Sequence, residues 1–486
     1  MTCNYRKVTF LWLSLVVLNM SGCSKNDLPA NTDPNSQKIG SAQIWLTKGD
    51  KSVLFRQDSL PIIPLNGAGW PQVKVDTIYQ YQEVEGYGAA LTGSSAYLFH
   101  HSLDPTQRQS ILKELFDPKK GIGLTYLRLT MGASDFSLSD YTYNDVPAGE
   151  TDFNLEKFSL SRDTEDVVPI LKEIVAIYPE IKLMGSPWSP PAWMKTNGSL
   201  KGGQLKPEFY SVYAQYFVKY IHEMQKEGIR IDAITPQNEP LHSTAGYPCM
   251  LMQPAEQKSF IRDYLGPAFE AAGINTKIVI YDHNWDRSDY ATTVLSDPIA
   301  AKYIDGSAFH AYAGDVSAMS VVHNAFPDKK LYFTEISGGN WAINFGDNLM
   351  WYMKNILIGT ANNWSSNALF WNLTLDQNHG PRNNGCQDCR GVITIAGGGG
   401  TITRNEEYYA LAHFSKFVRP GAKRIYTQPD PSITNVDFVT FRNTDGTKVM
   451  VIANYNDFTK TFTIVQSSKA IKYTMAAKSV VTLVWQ

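Results

Sequence analysis

Between Gly86 and Thr374, short apolar runs alternate with longer stretches in which apolar positions recur every three or four residues. The runs are GYGAALT, LTYLRLTM, IKLMGSPW, IDAITPQNE, TKIVIYDH, IDGSAFHAY, KLYFTEIS and NALFWNLT, eight in all. Apolarity without alternation marks strands buried on both faces. Between them, RDTEDVVPILKEIVAIYP and PEFYSVYAQYFVKYIHEMQKEG carry the period of amphipathic helices. Eight strand–helix units predict an α/β fold, a (β/α)8 TIM barrel with a parallel sheet closed on itself.

The flanks read differently. AQIWLTK, KSVLFRQ and VKVDTIYQYQEVEG precede the barrel, and ITNVDFVTFRN, TKVMVIANYN, KTFTIVQ and KSVVTLVWQ follow it, all alternating at period two between turn residues. Since chain termini tend to meet at a surface, they predict one side β-sandwich built from N- and C-terminal strands. The predicted division is a leader over 1–23, a polar tether over 24–40, sandwich strands over 41–85, the catalytic barrel over 86–404, and a last helix with the C-terminal sandwich strands over 405–486.

The leader MTCNYRKVTFLWLSLVVLNMSGC has a basic start (Arg6, Lys7), an apolar core too short to span a bilayer, and small residues before Cys23. Ser-Gly-Cys resembles a bacterial lipoprotein box, with Met20 where Leu is more usual. An exported lipoprotein anchored through Cys23, on the periplasmic or cell-surface face of an outer membrane, is the expectation; an ordinary cleaved signal peptide is the alternative.

Composition narrows the partners. Lys and Arg number 44 against 46 Asp and Glu, a net charge of −2, so nothing draws the chain to nucleic acid, and a membrane enters only through the lipid anchor. A neutral carbohydrate fits. The 11 Trp and 26 Tyr suit stacking on sugar faces, or equally a large core. Beyond the leader the cysteines are Cys249, Cys386 and Cys389. CQDC (386–389) reads as a local disulfide or paired-thiol loop, because a structural zinc needs two further ligands and no second CxxC or HxxxH exists.

Two of the apolar runs end on a glutamate: Glu239 in TPQNEP and Glu335 in TEISGG. In a parallel barrel the C-terminal strand ends carry the reactive groups. A single strand-end Glu serves as readily in a salt bridge or helix cap. Two of them, at the fourth and seventh runs, are the minimum equipment for splitting a glycosidic bond, one protonating the leaving oxygen and the other attacking the anomeric carbon.

The ordered motifs GYGAALTGSSA, LRLTMGASDFS, SPWSPPAWMKTNGSLKGG, TPQNEP, FHAY, TEISGG, FWNLTLDQNHGP and HFSKFVRPGAKRI resemble glycoside hydrolase family 30, the family of acid β-glucosidase, over nearly the whole chain beyond the leader. The resemblance implies a retaining β-glycosidase needing no metal or organic cofactor, with Glu239 as acid/base and Glu335 as nucleophile. It further implies that Asn238 meets the sugar's 2-hydroxyl, Arg128 holds the nucleophile ionised, Tyr312 donates to Glu335 with His310 nearby, Trp188 and Trp371 line the sugar pocket, and Tyr247 adds a wall. Each of these also has an ordinary structural use in a core. Gly93 stands where the resemblance leads one to expect an Asp gripping the distal hydroxyls, so either a residue of YDHNWD (281–286) takes over or the pocket admits a longer sugar. The expected activity is a β-1,6-glucanase on polysaccharide. Alternatives are an exo-acting β-glucosidase, glucosylceramidase or β-xylosidase and, from another class, a non-catalytic carbohydrate-binding lipoprotein.

Overall fold

The computed structural model describes residues 38–65, 69–397 and 400–486. The leader, Cys23 and nearly all of the predicted tether lie outside the described residues. All eight apolar runs form strands of one parallel barrel: β1 (Gly86–Leu91), β2 (Tyr126–Thr130), β3 (Lys182–Ser186), β4 (Ala233–Ile234), β5 (Lys277–Asn284), β6 (Ile304–His310), β7 (Lys330–Glu335) and β8 (Asn367–Phe370). Successive strands pair in chain order, and β8 returns to β1 through Asn367↔Gly86 and its neighbours. Between β7 and β8, Ser366 N donates to Leu331 O at 2.7 Å and Phe333 N to Asn367 Oδ1 at 2.8 Å, closing the ring.

Tyr126, Met184, Ala233, Val279, Ala308, Tyr332 and Leu369, from seven of these strands, pack as one cluster inside the barrel. Helices cover the outside with their periodic faces: in Tyr210–Lys226 the buried set includes Tyr213, Phe217, Tyr220, Ile221 and Met224. The N-terminal end is plugged by charge. Glu85, just before β1, is almost fully buried and accepts from Lys182, Lys277 and Lys330, the opening residues of β3, β5 and β7. Burial pushes its carboxyl up, but the Lys182 and Lys330 ammonium groups prevail and draw it down to about 2. A recess of about 670 Å³ opens at this end, but its Lys182 and Lys277 are already spent on Glu85.

The flanking strands meet as expected and go further, joining into a closed ring of nine. Gly40–Lys48, Arg56–Pro64 and Gln72–Glu83 come from before the barrel, and six strands between Lys423 and Trp485 from after it. Gly40–Lys48 pairs antiparallel with Ser479–Trp485. The ring is not wholly antiparallel, since Gln72–Glu83 runs parallel to Lys460–Gln466. Its own core includes Ile44, Leu46, Val73, Phe438, Ile452, Phe462 and Leu483. The helix Glu406–Ser415 joins the two cores. Its buried His413 bridges Thr47 (2.9 Å) and Thr482 (2.8 Å), and burial lowers its pKa to about 3, so it bonds as neutral imidazole.

Candidate active site

Strand β4 is short because the chain leaves the sheet at Pro236 and is then pinned from both sides. Asn238 N donates to Pro187 O (2.9 Å) beyond β3, and Glu239 N donates to Asp282 O (3.0 Å) in β5. Glu239 takes φ +42°, and in β5 Tyr281 and Asp282 take +71° and +62°. Left-handed backbone costs a residue with a Cβ about 1–2 kcal/mol, so three such residues together mark a place where tertiary contacts override local preference. The pairing register also slips between Tyr281 and His283 and between Phe333 and Glu335. Bulges at these strand ends re-aim the side chains that carry the chemistry.

Glu335 ends β7 beneath two donors. Arg128 Nη1 lies 2.5 Å from its Oε2, and the Tyr312 hydroxyl donates to its Oε1 at 3.1 Å. The same guanidinium reaches Asn238 Oδ1 (2.6 Å) and Asp282 Oδ2 (2.8 Å) and lies under the rings of Trp188 and Trp371, which stack at 5.0 Å and 20°. Tyr247 packs on that aromatic pair and bonds His242 Nε2 at 3.0 Å. The structure thus brings together Arg128, Trp188, Asn238, Glu239, Tyr312, Glu335 and Trp371, with Tyr247 in the wall.

An oxygen of Glu239, an oxygen of Glu335 and a ring nitrogen of His310 all lie within 4.8 Å of one another. That is close to the separation of about 5 Å at which the second carboxylate attacks directly rather than through a water. Three such donors can also hold a cation, but here the Arg128 guanidinium already occupies Glu335.

Beneath the pair lies a residue the sequence did not single out. Asp282 is fully buried and accepts five bonds: His310 Nε2 (3.0 Å) and Thr334 Oγ1 (2.7 Å) on Oδ1, and Arg128 Nη2 (2.8 Å), Ser186 Oγ (2.9 Å) and Thr235 Oγ1 (2.7 Å) on Oδ2. Burial pushes its carboxyl up, yet Arg128 and His310 outweigh that and hold it far below the usual carboxylate range. Its one visible signal was a polar residue closing an apolar run, as with the two glutamates.

Asp282 dictates what His310 does. With Nε2–H given to Asp282, His310 Nδ1 is left facing Glu239 Oε1 at 3.1 Å, and a single proton serves both atoms. Burial lowers the imidazole, but Glu335, Asp282 and Glu239 raise it to about 9; burial raises Glu239, and His310 draws it down. These opposite directions describe one shared proton, leaning toward the ring while no glycosidic oxygen is present to accept it. Glu335 is raised, chiefly by burial, with Glu239 and Asp282 adding to the push and His310 and Arg128 opposing it.

Asp135 is the second residue missed. The Trp371 indole donates to it, while one carboxylate oxygen is buried without a partner. Burial and the charges of Glu335 and Glu239 raise it well above the usual range. Asn383 N donates to its carbonyl at 2.7 Å, from the stretch that leads into the Cys386–Cys389 disulfide. Of the two aspartates in YDHNWD, Asp282 is engaged beneath the glutamates, while Asp135 brings a carboxylate oxygen without a partner to the same site.

A (β/α)8 barrel with two carboxyls this close at the C-terminal ends of its fourth and seventh strands has the working parts of a glycoside hydrolase. Family comparison agrees. Residues 84–418 match the glycosyl hydrolase family 30 TIM-barrel domain and residues 421–483 the family 30 beta sandwich domain, so the chain belongs to glycoside hydrolase family 30. It is 36% identical to an endo-1,6-β-D-glucanase of Aspergillus fumigatus over 442 residues, which is 84% of this chain and 87% of that one. It is 33% identical to the lysosomal acid glucosylceramidase of Mus musculus over 402 residues, 77% and 75% of the two chains. A solved endo-β1,6-glucanase superposes with a TM-score of 0.85 at 36% identity, covering 92% of this chain and 99% of that one.

Proposed function

We propose that this glycoside hydrolase cleaves β-1,6-glucan with retention of configuration, acting within the chain. The observation that carries the mechanism is the approach of Glu239 and Glu335 to within 4.8 Å. Glu335, made anionic by Arg128 and Tyr312, attacks the anomeric carbon and forms a glycosyl ester, while Glu239 gives the glycosidic oxygen the proton it shares with His310. Glu239 then takes a proton from water, whose oxygen displaces Glu335 and restores both groups. The Asn238 amide oxygen is taken by Arg128, which turns its amide N–H groups to the sugar's 2-hydroxyl. Trp188 and Trp371 form the pocket floor, and the free oxygen of Asp135 meets the distal hydroxyls.

The 1,6 linkage rests on the likeness to endo-1,6-glucanases. It is tested by following products from linear β-1,6-glucan, with glucosylceramide and aryl β-glucosides in parallel. Mixed oligosaccharides appearing early, with the β-anomer first, are expected. Release of glucose or ceramide alone would leave an exo-β-glucosidase or glucosylceramidase instead. Abolition of turnover by Glu335→Gln separates catalysis from mere capture of the polymer.

The basic, apolar and small-residue order of 1–23 supports an exported enzyme held at a membrane by a lipid on Cys23. Fatty-acid labelling that disappears in Cys23→Ala is the expected result, and labelling that persists would overturn the assignment.

A further inference from the structure

The segment following the nucleophile carries an aromatic ring that the reaction within the pocket does not use. Gly338–Gly339 pairs antiparallel with Cys389–Arg390, one residue of which is half of the disulfide. From there the chain turns tightly through Asn340 and Trp341, and the turn is fastened on every side. Asn340 N donates to Asp388 O (2.9 Å), its side chain bonds His379 Nε2 (2.8 Å), Ala342 N donates to Gly339 O (3.1 Å), and Arg390 Nη1 donates to Ala342 O (3.3 Å). Arg390 is itself held by Glu406 and Glu407. Trp341 rides on this mount with 58% of its surface exposed. One face of its indole lies on Gly339, so closely that a Cβ there would come within 2.0 Å of the ring. Cys389, the strand partner of Gly339, packs against Trp188 and Trp371. The disulfide loop thus forms the pocket wall on one side and the seat of Trp341 on the other.

An indole pressed flat on a backbone and bare on its other face is amphipathic surface waiting for an equally flat apolar ligand, and the C–H face of a pyranose is such a surface. Its rigid seating means that little conformational freedom is lost on contact. We propose that Trp341 is a stacking subsite for a glucosyl unit of the polymer outside the cleavage pocket, engaged by chains and not by single sugars. This rests on the glucan-hydrolase reading, and makes Trp341 a specificity residue rather than a catalytic one.

The test compares Trp341→Ala, Trp341→Phe and the unaltered enzyme on linear β-1,6-glucan and on β-glucosyl fluoride, whose leaving group is one atom and cannot reach the rim. For Trp341→Ala, kcat/KM on the polymer should fall roughly tenfold, mostly through KM, while that on the fluoride stays within about twofold, the scale of one lost aromatic contact. Trp341→Phe should recover most of the loss. An equal fall on both substrates, or no fall on the polymer, overturns the proposal. Failure of the unaltered enzyme on β-1,6-glucan while the fluoride turns over would instead remove the substrate reading, and this subsite with it.

Discussion

Replacing Asp282 by Asn should disable the acid at Glu239 without touching it. The substitution keeps the shape and removes one charge and one acceptor. Of the five donors on Asp282, the three hydroxyls of Ser186, Thr235 and Thr334 can turn from donating to accepting, whereas Arg128 can only donate. The new amide oxygen must therefore face Arg128, and its NH2 must face His310 Nε2. That ring nitrogen then has to accept, so the ring proton moves to Nδ1 and points at Glu239 Oε1, 3.1 Å away. Glu239 is left as an ionised acceptor with no proton to give.

The stability loss should be about 1.5–3 kcal/mol, the value of charge-assisted bonds made neutral, below the 3–5 kcal/mol of a broken buried ion pair, because the bonds to Arg128, Ser186 and Thr235 persist and those to His310 and Thr334 are kept with donor and acceptor exchanged. The catalytic loss should be that of a missing general acid, about 10²–10⁴-fold, on β-1,6-glucan, whose leaving alkoxide needs protonation. On 2,4-dinitrophenyl β-glucoside, whose phenolate leaves unaided, the first step should fall only a few-fold. Steady-state kcat/KM on both substrates, with a melting curve to verify folding, decides it. Equal losses on the two substrates, or near-normal rates on the glucan, would refute the tautomer argument.

Further outcomes follow from the same geometry. Asp135→Asn should lower kcat/KM by no more than about tenfold on glucan and activated glucoside alike, since it exchanges a carboxyl held toward its neutral form for an amide and leaves the acid in place; substrate-dependent losses would argue otherwise. Gly93→Asp should be tolerated: a Cβ at Gly93 meets Ser137 Oγ at 3.7 Å, an ordinary contact, so melting should move by no more than about 2 °C and glucan cleavage should persist. Because Glu335 must be ionised to attack and burial raises its pKa, kcat/KM should fall on acidification at a pH above the ordinary Glu value of about 4.3. Arg128 opposes that rise, so Arg128→Lys, which loses the planar fork, should move the acid limb to still higher pH in a pH–rate profile.

The barrel was legible because burial on both faces leaves a strand no polar alternation, and all eight runs announced themselves that way. Where strands end was less legible. IDAITPQNE reads as one strand, yet only Ala233 and Ile234 stay in the sheet, since the bonds that pull Asn238 and Glu239 away come from Pro187 and Asp282, far off in the chain. Period two exposed six of the nine flanking strands, placed KSVLFRQ (51–57) ahead of the strand Arg56–Pro64 and missed Lys423–Pro429 and Lys469–Met475; it did not show their partners, so neither the closed ring nor its parallel pair was visible. The two glutamates stood out by position. Asp282 did not, because its importance arises from five residues on β2, β3, β6 and β7 and just after β4 converging on one carboxyl. Asp135 was not legible because the carboxylate was expected at the end of β1 or in YDHNWD (281–286), whereas Asp135 sits in a loop after β2. That loop is held in place by Asn383, which only the folded chain brings near.

The closed ring of flanking strands also governs how the molecule is made. Strand 40–48 is synthesised before the whole barrel, yet one of its two edges finds its partner only in 479–485. During biosynthesis that edge therefore stays open while more than 400 residues emerge, a loop closure among the slowest a chain of this size can require. The barrel can gather its neighbouring strands as they appear, but His413 cannot bridge Thr47 to Thr482 until synthesis is nearly over. Completion of the enzyme is thus a late event, and a product stalled short of residue 479 would display an unpaired strand edge for quality control to find.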